Sequence, residues 1–375
     1  MRRKTGSAAV RWLEQIPRVS AQQQSRPKRI SKRSFSATRP SCKPVQVTQH
    51  VHSRRKVNSK EADASSSPPP LDLDRQAMTN QVDSLIRETR QLMGNSANIP
   101  QHLIAFSGGV DSSLAAALVH KAHVPGVERV QAVLGLSPAV PAEQVDLAVR
   151  VAKQLGVELQ QVATSEGEDD VYLANEGQAC LACKTHLYAT LQAIVQHSEN
   201  AHESFRLYNG TNADDLQDST RLGLIAAREF HVASPLRHLP KSNVRQVARH
   251  LGLLNWNHAA SPCLRSRLAL GVTATAEHLQ LMAQAERLVR QRLGADLVNE
   301  TTNLRARLLS GHCVRIEIDK ALVERTMAED WTELQVLGGF AKVSVRAFKS
   351  GSVARKDAAV DREEEEESQA AVGFG

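Results

Sequence analysis

The residues Ser107-Gly108-Gly109-Val110-Asp111-Ser112-Ser113 follow a short apolar run and have the composition of a phosphate-binding loop. The glycines let backbone amides approach an anion closely, and a helix beginning here favours negative charge at its N-terminus. Three serine hydroxyls can donate hydrogen bonds to phosphate oxygens. Asp111 repels a bare phosphate, so we assign it to a Mg²⁺ ion that bridges the pyrophosphate of ATP. The loop lacks the Walker A lysine and the dinucleotide GxGxxG spacing. The alternative is an ordinary glycine-rich turn, but the loop lies between a predicted strand and a predicted helix, which is the context that a phosphate loop requires.

Three cysteines form the second group with chemical potential. Cys180 and Cys183 make a CxxC pair, and Cys263 follows far along the chain. Four thiolates would close a zinc or iron–sulfur site, whereas three leave one iron of a [4Fe–4S] cluster free to carry an extra sulfide. The alternative for the pair is two small buried side chains at the start of a helix. With only five cysteines in 375 residues, a disulfide framework is not expected.

Charged side chains supply further candidates. Asp214 and Asp215 follow a predicted strand, where they can bind the nucleotide or a metal, or cap a helix. Arg305 and Arg307 alternate along another predicted strand, so both point the same way, which suits a substrate phosphate. Lys241 and Arg245 are either phosphate partners or part of a solvated helix face.

The elements that must position these residues alternate between strand and helix. The pattern predicts a lead-in helix over 78–92 and strands at 103–106, 130–136, 157–162 and 205–208. Helices are predicted at 111–120, 142–155, 186–196 and 243–251. This order indicates an α/β fold: a Rossmann-like (HUP) parallel sheet with helices on both faces. Beyond residue 272, a helix at 276–293 and strands at 305–309, 314–318 and 342–348 predict a smaller C-terminal α+β domain.

The motifs resemble those of one protein family. The loop matches the SGGxDS signature of the PP-loop ATP pyrophosphatases, which adenylate an oxygen of the substrate and release pyrophosphate. Four ordered segments resemble the LarE-type sacrificial sulfur transferases of that superfamily. They are NEGQACLACKTHLYATL (175–191), GTNADD (210–215), SPL with Lys241 and Arg245 (234–245), and PCLRSR with Gly271 (262–271). Three positions depart from the family pattern: Ala179 replaces an arginine, Leu222 a proline and Arg265 an alanine.

The resemblance implies a function and a set of site residues. It implies ATP and Mg²⁺ as cofactors, adenylation of a carboxylated pyridinium mononucleotide, and sulfur insertion as in nickel-pincer cofactor biosynthesis. Cys263 would then act together with Asp111, and the three-cysteine members of the family hold a [4Fe–4S] cluster. Arg267, Arg305 and Arg307 would bind the nucleotide. Glu286 and Glu317 match acidic metal positions, although a surface salt bridge is the alternative for either.

Charge is distributed unevenly along the chain. The net charge is +7, but residues 1–70 hold 16 lysines and arginines against three acids, and residues 351–375 hold seven acids against three bases. The middle is therefore nearly neutral and, with 3% aromatics, offers little for nucleic acid. We expect a basic mitochondrial transit peptide over 1–70, with cytoplasm or nucleus as alternatives, and an acidic disordered tail over 351–375. The PP-loop domain is predicted over 71–271 and the second domain over 272–350.

Alternative functions remain open from sequence alone. A tRNA-thiolating PP-loop enzyme would need a basic docking surface, and an amide ligase like NAD or GMP synthetase would give the cysteines no task. A binding module for adenine nucleotides without catalysis would need neither Asp111 nor three thiols. No segment is apolar enough to span a membrane. We therefore expect a small-molecule carboxylated nucleotide as substrate, no membrane or nucleic-acid partner, and a homo-oligomer.

Overall fold

The computed structural model describes residues 70–95, 98–197 and 204–349, with the side chains of 70–73 excluded. The predicted transit peptide and the acidic tail lie outside the described residues. One compact unit contains all the described residues. None of the helices described is long and apolar enough to cross a membrane.

The first half of the unit contains a parallel sheet. Its strands are β1 (Gln101–Ala105), β2 (Arg129–Leu136), β3 (Glu158–Ala163) and β4 (Phe205–Tyr208), in the order β3-β2-β1-β4. Around the sheet lie α1 (Pro70–Met93), α2 (Val110–Ala122), α3 (Ala142–Leu155), α4 (Asp170–Ala174), α5 (Ala179–Gln196), α6 (Ala213–Gln217), α7 (Gly223–Glu229) and α8 (Lys241–His250).

Helices pack on both faces of this sheet. Ile104 and Leu134 pack among α2 and α3 on one face, whereas Leu103 and Val133 pack against α5 on the other. Successive side chains of a strand point to opposite faces, so strands covered on both sides are apolar throughout. The predicted Rossmann-like α/β fold is confirmed.

A second sheet follows. It consists of β5 (Leu304–Leu309), β6 (Cys313–Ile318) and β7 (Val343–Ala347), with β5 antiparallel and β7 parallel to β6. Helix α9 (Ala276–Leu293) packs on it, and the short helices α10 (Val323–Met327) and α11 (Thr332–Gly338) complete this part. The predicted smaller α+β region is therefore present, while its boundary at residue 272 stays a prediction.

Two local predictions were wrong. Helix α5 begins at Ala179 rather than His186, so the CxxC pair is helical. Helix α8 begins at Lys241, with Pro240 at its N-cap, rather than at residue 243. In both places the first turn is polar or built of small residues, and apolar periodicity begins only later.

Candidate active site

The phosphate loop is held in shape by its own side chains. The hydroxyl of Ser112 accepts from the backbone N–H of Ser107 (3.2 Å) and donates to the carbonyl of Gly109 (3.0 Å). Gly108 has a φ of +71°, and a Cβ there would lie 2.6 Å from the Cα of Ala148. Only glycine fits this position, which leaves the loop preformed at the start of α2.

A buried asparagine supports the loop from a distant part of the chain. Asn255 is fully buried, and its amide nitrogen donates to the carbonyl of Gly108 (2.7 Å) and the hydroxyl of Ser113 (3.0 Å). No sequence motif singled out this residue. Gln144 of α3, also not predicted, donates to the carbonyl of Ser107.

Asp111 lies at the loop with two polar partners. Its carboxylate accepts hydrogen bonds from Lys241 and from the amide of Asn212 (3.3 Å). Gly210 allows this contact, because a Cβ there would lie 2.5 Å from the carbonyl carbon of Asp111. The GTNADD segment and the start of α8 thus meet the phosphate loop.

The two aspartates of the GTNADD segment act as helix caps in this structure. Asp215 and Asn212 form a capping box (3.1 and 3.2 Å), and Asp215 also pairs with Arg221 at 2.9 Å. Burial raises the pKa of Asp215. Asp214 is exposed and accepts from the backbone N–H of Lys241 at 3.2 Å. Their nucleotide- or metal-binding role stays a prediction.

Arg245 does not contact the phosphate loop. Its guanidinium donates to the carbonyls of Trp256 (3.0 Å) and His258 (2.9 Å). It therefore fixes the segment that carries Asn255, rather than forming a solvated face.

The three predicted cysteines come together. Cys180 and Cys183 lie in the first turns of α5, and Cys263 precedes a 3-10 turn at Leu264–Arg267. The pKa of the Cys183 thiol is raised to about 12, mainly by burial and with smaller contributions from the nearby sulfurs of Cys263 and Cys180. The hydrogen-bond partner of the Cys180 sulfur is the guanidinium of Arg265, at 2.7 Å.

The residues do not fit the predicted metal centres. Among the described residues, no group of three or more Cys, His, Asp or Glu side chains is arranged to hold a metal ion. A cationic guanidinium, not a second thiol, faces Cys180, so the [4Fe–4S] cluster is not supported. Glu286 and Glu317 are likewise paired with arginines instead of other carboxylates.

Those arginines form a buried centre on the second sheet. Arg267 pairs with Glu286 (2.7 Å), and Arg307 and Arg346 pair with Glu317 (2.8 and 2.6 Å). The carboxylates of Glu286 and Glu317 therefore hold these three guanidinium groups in place.

Arg305 differs from its neighbours in that centre. It is 8% exposed, and its guanidinium lies 4.5 Å above the ring of Phe348, with a long hydrogen bond (3.4 Å) to the carbonyl of Ala260. Burial, together with the charges of Arg267 and Arg307, lowers its pKa to about 10. Because the guanidinium groups of Arg267 and Arg307 repel that of Arg305, this buried site favours the binding of an anion.

One turn joins the cysteines to the arginine centre. Arg267 donates to the carbonyl of Pro262 (2.6 Å), beside Cys263, and the carbonyl of Ser266 accepts from Arg307 (2.8 Å). A thiol and the arginine centre are therefore held by the same few residues.

A cavity of about 260 Å³ opens at the carboxyl ends of β2 and β3. Two of its lining residues, Glu166 and Tyr172, are 3% and 2% exposed. Glu166 Oε2 and Tyr172 Oη have no hydrogen-bond partner among the described residues. Burial raises the pKa of Tyr172, and the neighbouring Cys263 and Cys183 add to this effect. Sequence reasoning missed both residues, because neither lies in a recognisable motif.

Comparison with known proteins assigns the family. The profile of the NAD synthase family matches residues 85–256. An uncharacterised protein of Synechocystis is 36% identical over 219 residues, covering 58% of this chain and 77% of that protein. The pyridinium-3,5-bisthiocarboxylic acid mononucleotide synthase of Lactiplantibacillus plantarum is 32% identical over 189 residues, covering 50% of this chain and 66% of that protein. The chain belongs to the PP-loop ATP pyrophosphatases.

Within these ATP pyrophosphatases, the resemblance to LarE-type proteins is confirmed. The family also includes more distant relatives of other activities. A glutamine-hydrolysing GMP synthase of Chlorobium chlorochromatii is 28% identical over 265 residues, which is 66% of this chain and 50% of that protein. The chain thus spans about half the length of that synthase. The relatives therefore identify the chain as an ATP-using enzyme of the PP-loop class.

Proposed function

We propose that the protein uses ATP to adenylate a carboxylate of a pyridinium-type mononucleotide and then replaces the adenylate with sulfur. A carboxylate oxygen attacks the α-phosphorus of ATP, and pyrophosphate leaves. A sulfur nucleophile then attacks the activated carbonyl carbon, and AMP leaves. The Lactiplantibacillus plantarum relative supports this choice of acceptor, because it is named as a synthase of a pyridinium bisthiocarboxylic acid mononucleotide.

The observation that carries the proposal is the turn around Cys263. It holds a thiol next to Arg267, and through Ser266 it contacts Arg307. No carboxylate in the described part of the chain hydrogen-bonds to the nearby Arg305, so its guanidinium suits the phosphate of a mononucleotide. A substrate with a phosphate at one end and a carboxylate at the other matches these two features, and positioning of this kind contributes much of an enzyme's rate.

The residues present fit a magnesium ion at the phosphate loop. The side chain of Asp111 is 29% exposed, so an ion can reach its carboxylate. Bound there with ATP, Mg²⁺ would neutralise charge on the pyrophosphate leaving group. Lys241 and the serine hydroxyls would hold phosphate oxygens, and the nearby Asp111 contributes to the raised pKa of Asp215.

The decisive experiment is ATP–pyrophosphate exchange with a carboxylated pyridinium mononucleotide as acceptor. We expect acceptor-dependent exchange, formation of AMP, and loss of both in Asp111→Asn by at least about 100-fold, a size typical of a lost charge at a reaction centre. Asp296→Asn removes an exposed carboxylate in the same way and should leave exchange unchanged. Formation of ADP and orthophosphate would contradict the proposal.

An amide ligase is the second candidate, because the NAD synthase profile and the GMP synthase relatives share this fold. Both functions give AMP and pyrophosphate, so the product decides between them. An amide formed from ammonia, with Cys180, Cys183 and Cys263 all dispensable, would favour ligation. A thiocarboxylate that requires Cys263 would favour sulfur transfer.

A further inference from the structure

The guanidinium of Arg265 is a buried cation without a carboxylate partner. The residue is 7% exposed, and its two terminal nitrogens donate to Asn175 Oδ1 (3.1 Å) and to Cys180 Sγ (2.7 Å). None of the carboxylates in the described part of the chain lies within ion-pairing distance of it. Burying a charge without a counter-ion is costly, so this position calls for an anion.

The surroundings fix Arg265 and leave one sulfur within its reach. Asn175 is fully buried, has a φ of 53°, and donates to the carbonyls of Ala269 (2.9 Å) and Val272 (3.0 Å), which locks the side chain that holds Arg265. Cys180, the other partner, is exposed to solvent.

Cys180 also lies in a favourable place on its helix. It is the second residue of α5, where the N-terminal end of the helix dipole stabilises negative charge on a sulfur. Cys183 and Cys263 are less accessible and pack against the apolar core behind it. One thiol is thus reachable from outside and faces a cation, while two others lie further in.

We propose that Cys180 is the entry point for sulfur, accepting it from an external persulfide, with Arg265 as the positioning residue. The Cys180 thiolate attacks the terminal sulfur of a donor R–S–S⁻. The sulfur–sulfur bond of the donor breaks, the donor leaves as R–S⁻, and Cys180 becomes Cys–S–S⁻. Sulfane sulfur is transferred with no net oxidation, and the charge that Arg265 stabilises is retained on the outer sulfur.

The inference rests on the proposed function only for the destination of the sulfur. The inference places the source of the transferred sulfur outside the protein. The enzyme can then turn over repeatedly, because no cysteine of its own loses its sulfur.

The test measures loading of the full chain without ATP or acceptor. Reduced protein is incubated anaerobically with glutathione persulfide or, separately, with a cysteine desulfurase and cysteine, then alkylated and mapped by peptide mass spectrometry. We expect one added sulfur on Cys180. If only one of the two donors loads the protein, that result shows whether the sulfur comes from a small-molecule persulfide or from a protein persulfide. Arg265→Ala should slow loading by about tenfold or more, the size expected for loss of a charge-assisted hydrogen bond. Arg265→Lys, which keeps the charge, should recover part of the rate.

The controls separate this inference from the proposed function. Cys313→Ser removes a cysteine of β6 and should load like the unchanged protein, whereas Cys180→Ser should not load. If Arg265→Ala unfolds, the sulfur loading of Arg265→Lys and of Cys180→Ser still tests the inference. Sulfur found on Cys263 or Cys183 but not Cys180, bound iron that protects Cys180 from alkylation, or normal loading in both Arg265 variants would overturn the inference. Loading without any thiolated product would refute only the proposed function.

Discussion

Replacing Asn255 with alanine tests how the phosphate loop is held. The amide nitrogen of Asn255 makes two buried hydrogen bonds, to Gly108 and to Ser113, and each contributes about 1 kcal/mol net. Asn255→Ala should therefore lower the free energy of unfolding by about 2 kcal/mol. The carbonyl of Gly108 also loses its donor, so ATP must reorder the loop on binding. If reordering costs about 1.4 kcal/mol, the KM for ATP rises about tenfold.

The assays are urea unfolding and ATP–pyrophosphate exchange with ATP varied. Asn303→Ala is the matched control, because its amide nitrogen also bonds a side chain, Asp319 at 2.8 Å, but far from the loop. It should reduce stability and leave the KM for ATP unchanged. Asn255→Asp offers a second variant, since a carboxylate of the same shape cannot donate to Gly108. An unchanged KM in both Asn255 variants would refute the reasoning that this residue organises the loop.

Three further predictions concern the other parts of the chain. Arg305→Ala should raise the KM for a phosphate-bearing acceptor by about tenfold and leave that for ATP unchanged, and equal effects on both would contradict a substrate role. The pKa of Cys183 rises from 9.0 to about 12 on folding, so the neutral thiol favours the native state below pH 9 and this contribution is lost towards pH 12. Urea unfolding between these limits should show a decline that Cys183→Ala reduces. A C-terminal fluorescent fusion should enter mitochondria, and a diffuse signal with an intact N-terminus would argue against the predicted leader.

Local sequence was sufficient for the loop and the strands. The apolar run before Ser107 and the two glycines after it combine a strand, a turn and a helix start, and each depends on neighbours in the chain. The alternation of strand and helix likewise determines a parallel sheet covered on both faces.

The partners of the loop could not be predicted in the same way. Asn255 is 147 positions from Gly108, and Lys241 is 130 positions from Asp111. Such contacts depend on how the helices pack, and a single asparagine or lysine carries no periodic signal. The start of α5 was missed for a related reason, since its first turn, Ala179–Ala182, contains two alanines and a cysteine and has no distinct apolar stripe.

The distribution of charge explains why arginines rather than metals dominate the second half of the site. Glu286 and Glu317 each neutralise arginines, and a divalent ion at either carboxylate would displace a guanidinium that already pairs with it at 2.8 Å or less. Arg305, on β5, and Arg265, within the turn that follows Cys263, are left over. Neither has a carboxylate partner among the described residues, and the proposed chemistry would supply a substrate phosphate to Arg305 and a persulfide to Arg265. We therefore expect a phosphate-bearing acceptor to raise the free energy of unfolding of Cys180→Ser as it does for the unchanged protein. Sulfur loading of Cys180 should likewise proceed in Arg305→Ala.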